Sequence, residues 1–350
     1  MPSFCRHNRL ETSCPICSRK LQQREREAAQ ARRPPRAARP GSGSASRSGA
    51  ARRRPASTAG VHVRRLARAG DDGFHSDLVP GLHASADARC LAEELAFASA
   101  RLDELHASPP GLYGEARATG GEEGLWLAFL IAYLGPLDGQ GDPFAEIARV
   151  RTTWASGEVP ELEGTRIGPR GAWEPARHGD TVVAYRARAA RAGSQAAGLA
   201  GQPGWTPERR FERAFERLAL PGLTRAARYE FLLTAGALGL AETRPSSLHL
   251  LADPRDPTVS AAKRVFGIGD VLLVQRRAGE LAAAAALPIA ALDLALLNWA
   301  RRTDDPVAAR IACGATVAPD PDVVTLVAAA LGLGLEPDDG PGEPEPDPES

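Results

Sequence analysis

Apolar residues at helical spacing run through one long stretch of this chain, residues 75–335, and that stretch alone is long enough to build a core. "SADARCLAEELAFASARLDELHA" reads as a helix capped by Ser85, and "EEGLWLAFLIAYLG" is apolar nearly all round, as a central helix would be. "DPFAEIARVRTTWAS" carries Pro143 just inside its start. "GDTVVAYRARAARAG" bears a basic stripe from Arg186 to Arg191. "TPERRFERAFERLALPG" opens with Thr206 as cap, Pro207 at the first helical position and Glu208 in the first turn. No β-hairpin or βαβ pattern interrupts these segments, so the expectation is one all-α domain of about nine or ten helices.

The flanks differ in kind. Formal net charge is zero, with 43 Lys and Arg against 43 Asp and Glu, but the charges are segregated. Residues 19–68 hold fifteen Lys or Arg and two Glu, while 336–350 hold seven acids and no base. Neither stretch has enough large apolar side chains to offset chain entropy. Residues 19–74 therefore read as a basic disordered linker and 336–350 as an acidic disordered tail. The linker would bind a polyanion with affinity that falls as salt rises, or serve only as a solvated tether. Arginine outnumbers lysine so heavily that Lys263 is the one lysine of the core.

No apolar leader opens the chain. The most apolar run, Leu281–Ala300, is broken by Pro288 and carries Asp293, which reads as two buried helices and not a membrane span. The expected setting is the cytoplasm, without a membrane partner. Five cysteines, three of them clustered, do not form a disulfide framework.

That cluster is "CRHNRLETSCPIC". Cys14 and Cys17 form a C-x-x-C knuckle, and Cys5 with His7 supplies two further ligands. Four N/S donors make a closed tetrahedral set, so residues 1–18 read as a structural zinc knuckle whose metal would supply the folding free energy. A redox dithiol and unstructured cysteines are the competing readings. The knuckle would hold DNA or a protein partner.

Two short turns stand out within the core. "LALPGLTRAARYEFLL" passes from helix to helix through Leu-Pro-Gly, and Phe266-Gly267-Ile268-Gly269 is a second tight turn with Asp270 opening the next helix. Glycine brings backbone N–H groups close to a ligand, and a helix start favours an anion, so both turns could hold phosphate; both are also ordinary connections between antiparallel helices. Between them, Asp256 is placed as an N-cap before Pro257, with Lys263 and Arg264 two turns later and Arg276 and Arg277 on the following helix.

"LPGLTRAARYEFL" followed by Asp256-Pro-Thr-Val-Ser-Ala-Ala-Lys-Arg resembles the helix–hairpin–helix DNA glycosylase superfamily. The stretch from "RFERAFERLALPGL" to "LPIAALDLALLNW" looks most like the alpha-glutamyl/putrescinyl thymine pyrophosphorylase family, its bacterial clade 3, over about Glu122–Trp299. The resemblance implies a helical glycosylase-like core in which the hairpin, through Gly222, Thr224, Arg225 and Arg228, grips DNA. It implies replacement of the pyrophosphate on a hydroxymethyl-pyrimidine base by an amine such as putrescine or glutamate, with the base extruded into a pocket. Asp256 then corresponds to the catalytic carboxylate, and Lys263 to a catalytic cation. Arg264, Gly267, Gly269, Arg276 and Arg277 join the substrate- and DNA-binding set. The chain departs from the pattern in three ways. Thr224 stands at the hairpin's second glycine, Ala226 at the Schiff-base lysine, and the segment before Asp256 is longer than usual. The alternatives are a non-enzymatic nucleic-acid-binding protein and an interaction adaptor built on the knuckle.

Overall fold

The computed structural model describes residues 70–139, 141–301 and 310–334. Contacts divide the chain between His62 and Val63, and every described residue belongs to the unit Val63–Ser350. The zinc knuckle, nearly all of the basic linker and the acidic tail lie outside the described residues.

The described chain is all-α, with no strand among its residues. Its helices are α1 (Ser85–Ala107), α2 (Gly111–Thr119), α3 (Gly121–Leu134), α4 (Ala145–Val150), α5 (Asp180–Ala192) and α6 (Gln195–Ala200). They continue as α7 (Pro207–Arg217), α8 (Arg225–Ala237), α9 (Pro257–Phe266), α10 (Val271–Ala284), α11 (Ala291–Arg301) and α12 (Pro321–Ala330). Twelve helices among the described residues exceed the nine or ten expected, because several are only one or two turns long.

Caps fix most of the boundaries. Thr206 accepts from Arg209 N ahead of Pro207, and Asp256 accepts from Thr258 N ahead of Pro257, as the sequence predicts. Ser85 does not cap α1; it is the first helical residue, and its N–H donates to the carboxylate of Asp72, thirteen residues upstream. The folded body therefore begins a few residues before 75. Helix α4 stops at Val150, and the amides of Trp154 and Ala155 donate instead to the Glu123 carboxylate.

Helix α3 is the central one, buried at every position from Gly124 to Leu134. Its Phe129 stacks on Tyr185 of α5 and meets Phe231 of α8 edge-on. Helix α1 packs against α11 and α12, and α9 against α10 and α11. The apolar run Leu281–Ala300 is indeed split, α10 ending at Ala284 and α11 starting at Ala291. No helix among the described residues is long and apolar enough to cross a membrane.

Candidate functional site

The first hairpin joins α7 to α8. Gly222 turns the chain at φ +78°, and a Cβ there would strike the Thr181 hydroxyl and lie 2.7 Å from Arg177 Cδ. Thr181 at the start of α5 donates to the Pro221 carbonyl at 2.9 Å, so α5 braces the turn. Thr224 is the N-cap of α8, its hydroxyl accepting from Ala227 N, which accounts locally for a threonine at this position.

Arg225 follows at once and points inward, 5 % exposed. Its Nε donates to Asp256 Oδ2 and its Nη1 to the Leu248 carbonyl at 3.0 Å. The same Nη1 lies 2.7 Å from Asp293 Oδ1, without hydrogen-bond alignment. Asp256 Oδ1 accepts from Thr258 N at 2.9 Å, so both its oxygens are engaged.

From there an alternating chain of charge runs through the core. Asp293 of α11 accepts from Arg170 Nη2 at 2.6 Å; Arg170 lies 3.3 Å from Glu230 of α8; Glu230 accepts from Arg101 of α1. The sequence Asp256–Arg225–Asp293–Arg170–Glu230–Arg101 thus links α1, α8, α9 and α11 with no net charge, every side chain under one-tenth exposed. Burial pushes the Asp293 carboxyl up, but the charges of Arg225 and Arg170 overcome it and hold its pKa below the usual value. Glu230 follows the same logic: burial raises it, and Arg101 and Arg170 bring it down. Breaking such a chain at one member leaves an uncompensated buried charge, at about 3–5 kcal/mol. Arg170 Nε and Nη1 and Arg225 Nη2 reach no partner within the described chain.

Arg228, one turn after Arg225, spreads its guanidinium over the Phe215 ring at 4.4 Å and donates to the Phe215 carbonyl at 3.2 Å. Of the hairpin residues singled out from the sequence, Arg225 and Arg228 therefore face the core, while Thr224 is exposed and Gly222 half-buried.

The second hairpin joins α9 to α10 at the other end of α9, about 15 Å from Asp256 at 1.5 Å per residue. Gly267 caps α9 in the left-handed conformation, φ +63° and ψ +17°. It lies against Gly81, whose N–H donates to the Val265 carbonyl at 2.9 Å. Gly269 faces open space. The amides of Ile268, Gly269, Asp270 and Val271 donate to no acceptor among the described residues, while the Asp270 carboxylate takes those of Leu272 and Leu273. Leu272 and Leu273 are exposed at 75 % and 50 %.

Of the four cations singled out from the sequence, Lys263 and Arg264 lie at the end of α9 opposite Asp256, and Arg276 and Arg277 lie on α10. Lys263 and Arg264 occupy the last turn of α9, and the Arg264 guanidinium sits 4.8 Å over the Trp299 ring. Arg276 and Arg277 both reach Glu280, at 3.0 and 3.1 Å. Arg101 and Arg170 were not singled out from sequence. The one available signal was Asp293, a carboxylate on a strongly apolar helix that demanded a buried partner.

Elsewhere, an open groove of about 990 Å³ runs between the ends of α1, α7 and α8, floored by Leu233, Gly236 and Ile289 and rimmed by Asp103, His106 and Arg210. None of the candidate catalytic, DNA-binding or metal residues lines it. Among the described residues no group of three or more His, Cys, Asp and Glu could hold a metal, and the described cysteines, Cys90 and Cys313, are buried. Cys5, His7, Cys14 and Cys17 lie outside the described residues. No family model, no curated protein and no solved structure matches this chain.

Proposed function

We propose that this chain binds nucleic acid, holding the phosphate backbone at its glycine-bearing helix hairpins. The observation that carries the reading is the Gly267–Gly269 turn. Four successive amides, Ile268 to Val271, are without acceptors among the described residues, at the start of a helix, and half-buried Lys263 lies in the last turn of the helix before it. Unsatisfied N–H groups at a positive helix end favour an anion, and phosphate supplies several acceptor oxygens at once. Such contacts fix the position of a protein on a duplex without reading its sequence. DNA is the proposed partner, by the resemblance of the first turn to a glycosylase hairpin.

Base chemistry on that DNA, with an amine replacing pyrophosphate at a hydroxymethyl-pyrimidine, is the second reading. One observation favours it: the Arg225–Asp256 pair ties the first hairpin directly to the carboxylate that the resemblance makes catalytic. Against it, Asp256 has both oxygens engaged and its side chain is 8 % exposed, so it acts as helix cap and ion-pair partner. Binding is the reading that the geometry supports best. Zinc on Cys5, His7, Cys14 and Cys17 belongs to the same proposal as a structural ion, since three thiolates and one imidazole complete a tetrahedral set.

The test is duplex-DNA binding by the full chain, measured by fluorescence anisotropy. Gly269→Glu sets a carboxylate in open space, so the fold should survive while phosphate is repelled. Affinity should fall on the order of tenfold at moderate salt. Unchanged affinity would overturn the hairpin reading. Asp256→Asn decides the second reading: turnover that persists in this variant removes Asp256 from catalysis.

A further inference from the structure

The basic stripe of α5 separates into two parts. Arg186 turns inward and lies 4.4 and 4.5 Å from the rings of Trp126 and Trp154, while donating to the carbonyls of Thr153, Trp154 and Glu158. It is a structural clamp. Arg188 is half-buried and Arg191 exposed, and neither makes an ion pair among the described residues. Arg217, exposed in the last turn of α7, has none either, and Arg188 and Arg217 line one small recess floored by Gly198 and Leu199. Most other arginines around them are neutralised: Arg213 by Glu216, Arg177 by Glu174, Arg225 by Asp256 and Asp293.

We propose that Arg188, Arg191 and Arg217 form a phosphate-binding surface that takes nucleic-acid backbone continuing from the first hairpin.

Three features support this assignment, which rests on the nucleic-acid reading above. First, the cluster carries like charges at interacting range. The Arg188 guanidinium is held below its ordinary pKa by partial burial, and then by the charges of Arg217 and Arg191. Polyanion binding relieves that repulsion. Second, the fold tolerates the cluster because Arg191 and Arg217 occupy helix C-terminal turns, where the helix dipole offsets part of the cost. Third, the surface adjoins the hairpin. Arg217 precedes Leu220 by three residues, and the Thr181 that braces Pro221 lies seven residues before Arg188, about 10 Å along α5. Trp205 stands beside the cluster with Arg209 and Arg217 over its ring, at 5.1 and 5.9 Å, which keeps these side chains extended along the surface.

The experiment uses the full chain and a duplex of about two helical turns, with affinity measured across salt concentrations. Each phosphate contact contributes about 0.9 to the slope of log affinity against log salt, so Arg188→Gln, Arg191→Gln and Arg217→Gln together should lower it by about 2 to 3. The double variant of exposed Arg191 and Arg217 should lower it by about 2, and stands in if the triple variant unfolds. A slope unchanged in both variants, with wild-type binding intact and Gly269→Glu weakened, overturns this surface and leaves the hairpin reading standing. A reduced slope with Gly269→Glu unaffected does the reverse. A wild-type chain that does not bind overturns both.

Discussion

His249 is held at φ +47°, in the left-handed region that few non-glycine residues adopt. Its ring lies 4.7 Å from Phe215 and 5.3 Å from Phe211, with Nε2 unpartnered. Burial is the main force on its titration, and the charges of Arg225 and Arg228 add to it, so its pKa falls from 6.5 to about 4. The ring is neutral in the folded protein near pH 5, where the unfolded chain has taken up a proton. A folded pKa below the unfolded one gives stability that is complete above about pH 6.5 and drains away as pH falls toward 4. The full shift corresponds to about 3 kcal/mol, and partial exposure reduces this to about 2. Urea unfolding near pH 7 and near pH 5 should show wild type losing about 1 kcal/mol more than His249→Asn, whose side chain accepts the same backbone, since part of the shift is lost only below pH 5. Equal losses would mean that His249 titrates normally. The sequence marked Asp293, on a strongly apolar helix, as a carboxylate in need of a partner. It could not supply the partners: Arg170 lies 123 residues from Asp293, and Arg101 lies 129 residues from Glu230. No local pattern encodes pairings at that range.

Elements were legible where a local rule decides them. Thr206 with Pro207 and Asp256 with Pro257 each begin a helix because cap and fixed proline φ act within one turn. Boundaries set from a distance were not legible: Asp72 caps α1 from outside, and Glu123 ends α4 by capturing two amides. The second hairpin depends on such a distant partner too. A Cβ on Gly81 would collide with the Arg264 carbonyl oxygen and approach Gly267 N to 2.7 Å, all of it backbone that cannot swing aside. Gly81→Ala should therefore destabilise the protein by about 1–3 kcal/mol through overpacking. Thermal unfolding measures that loss. Because the strain falls on the end of α9, amide exchange at Val265 and Phe266 should quicken more than in α3; uniform quickening would mean that the glycine pair does not position the turn.

At the scale of the molecule, the segment 310–334 fastens α1 to the rest of the core. The Cys313 carbonyl accepts from Tyr113 Oη at 3.3 Å and from Arg101 Nε at 3.4 Å, and Asn298 Oδ1 takes Ile311 N at 3.2 Å. Asp138 Oδ1 takes Ala312 N at 2.7 Å, Glu104 holds Thr316, and Arg310 reaches Glu94 at 3.0 Å. Val327, Leu331 and Leu333 complete the apolar contact. At about 1.5–3 kcal/mol for each buried side chain, these three contribute about 5–9 kcal/mol, comparable to the whole stability of an ordinary domain, about 5–15 kcal/mol. The charge chain depends on the same segment, since Arg101 loses an acceptor without it. A chain ending at residue 309 should therefore lose its sharp thermal transition and its near-ultraviolet circular dichroism while keeping helical signal, because the short helices persist without fixed packing. A chain ending at residue 335 lacks only the acidic tail and should melt as wild type does. If both melt alike, the segment is an appendage and α8 and α11 hold α1 without it; if only the shorter chain fails, the core closes at its C-terminal segment and the charge chain is stable only inside that closure.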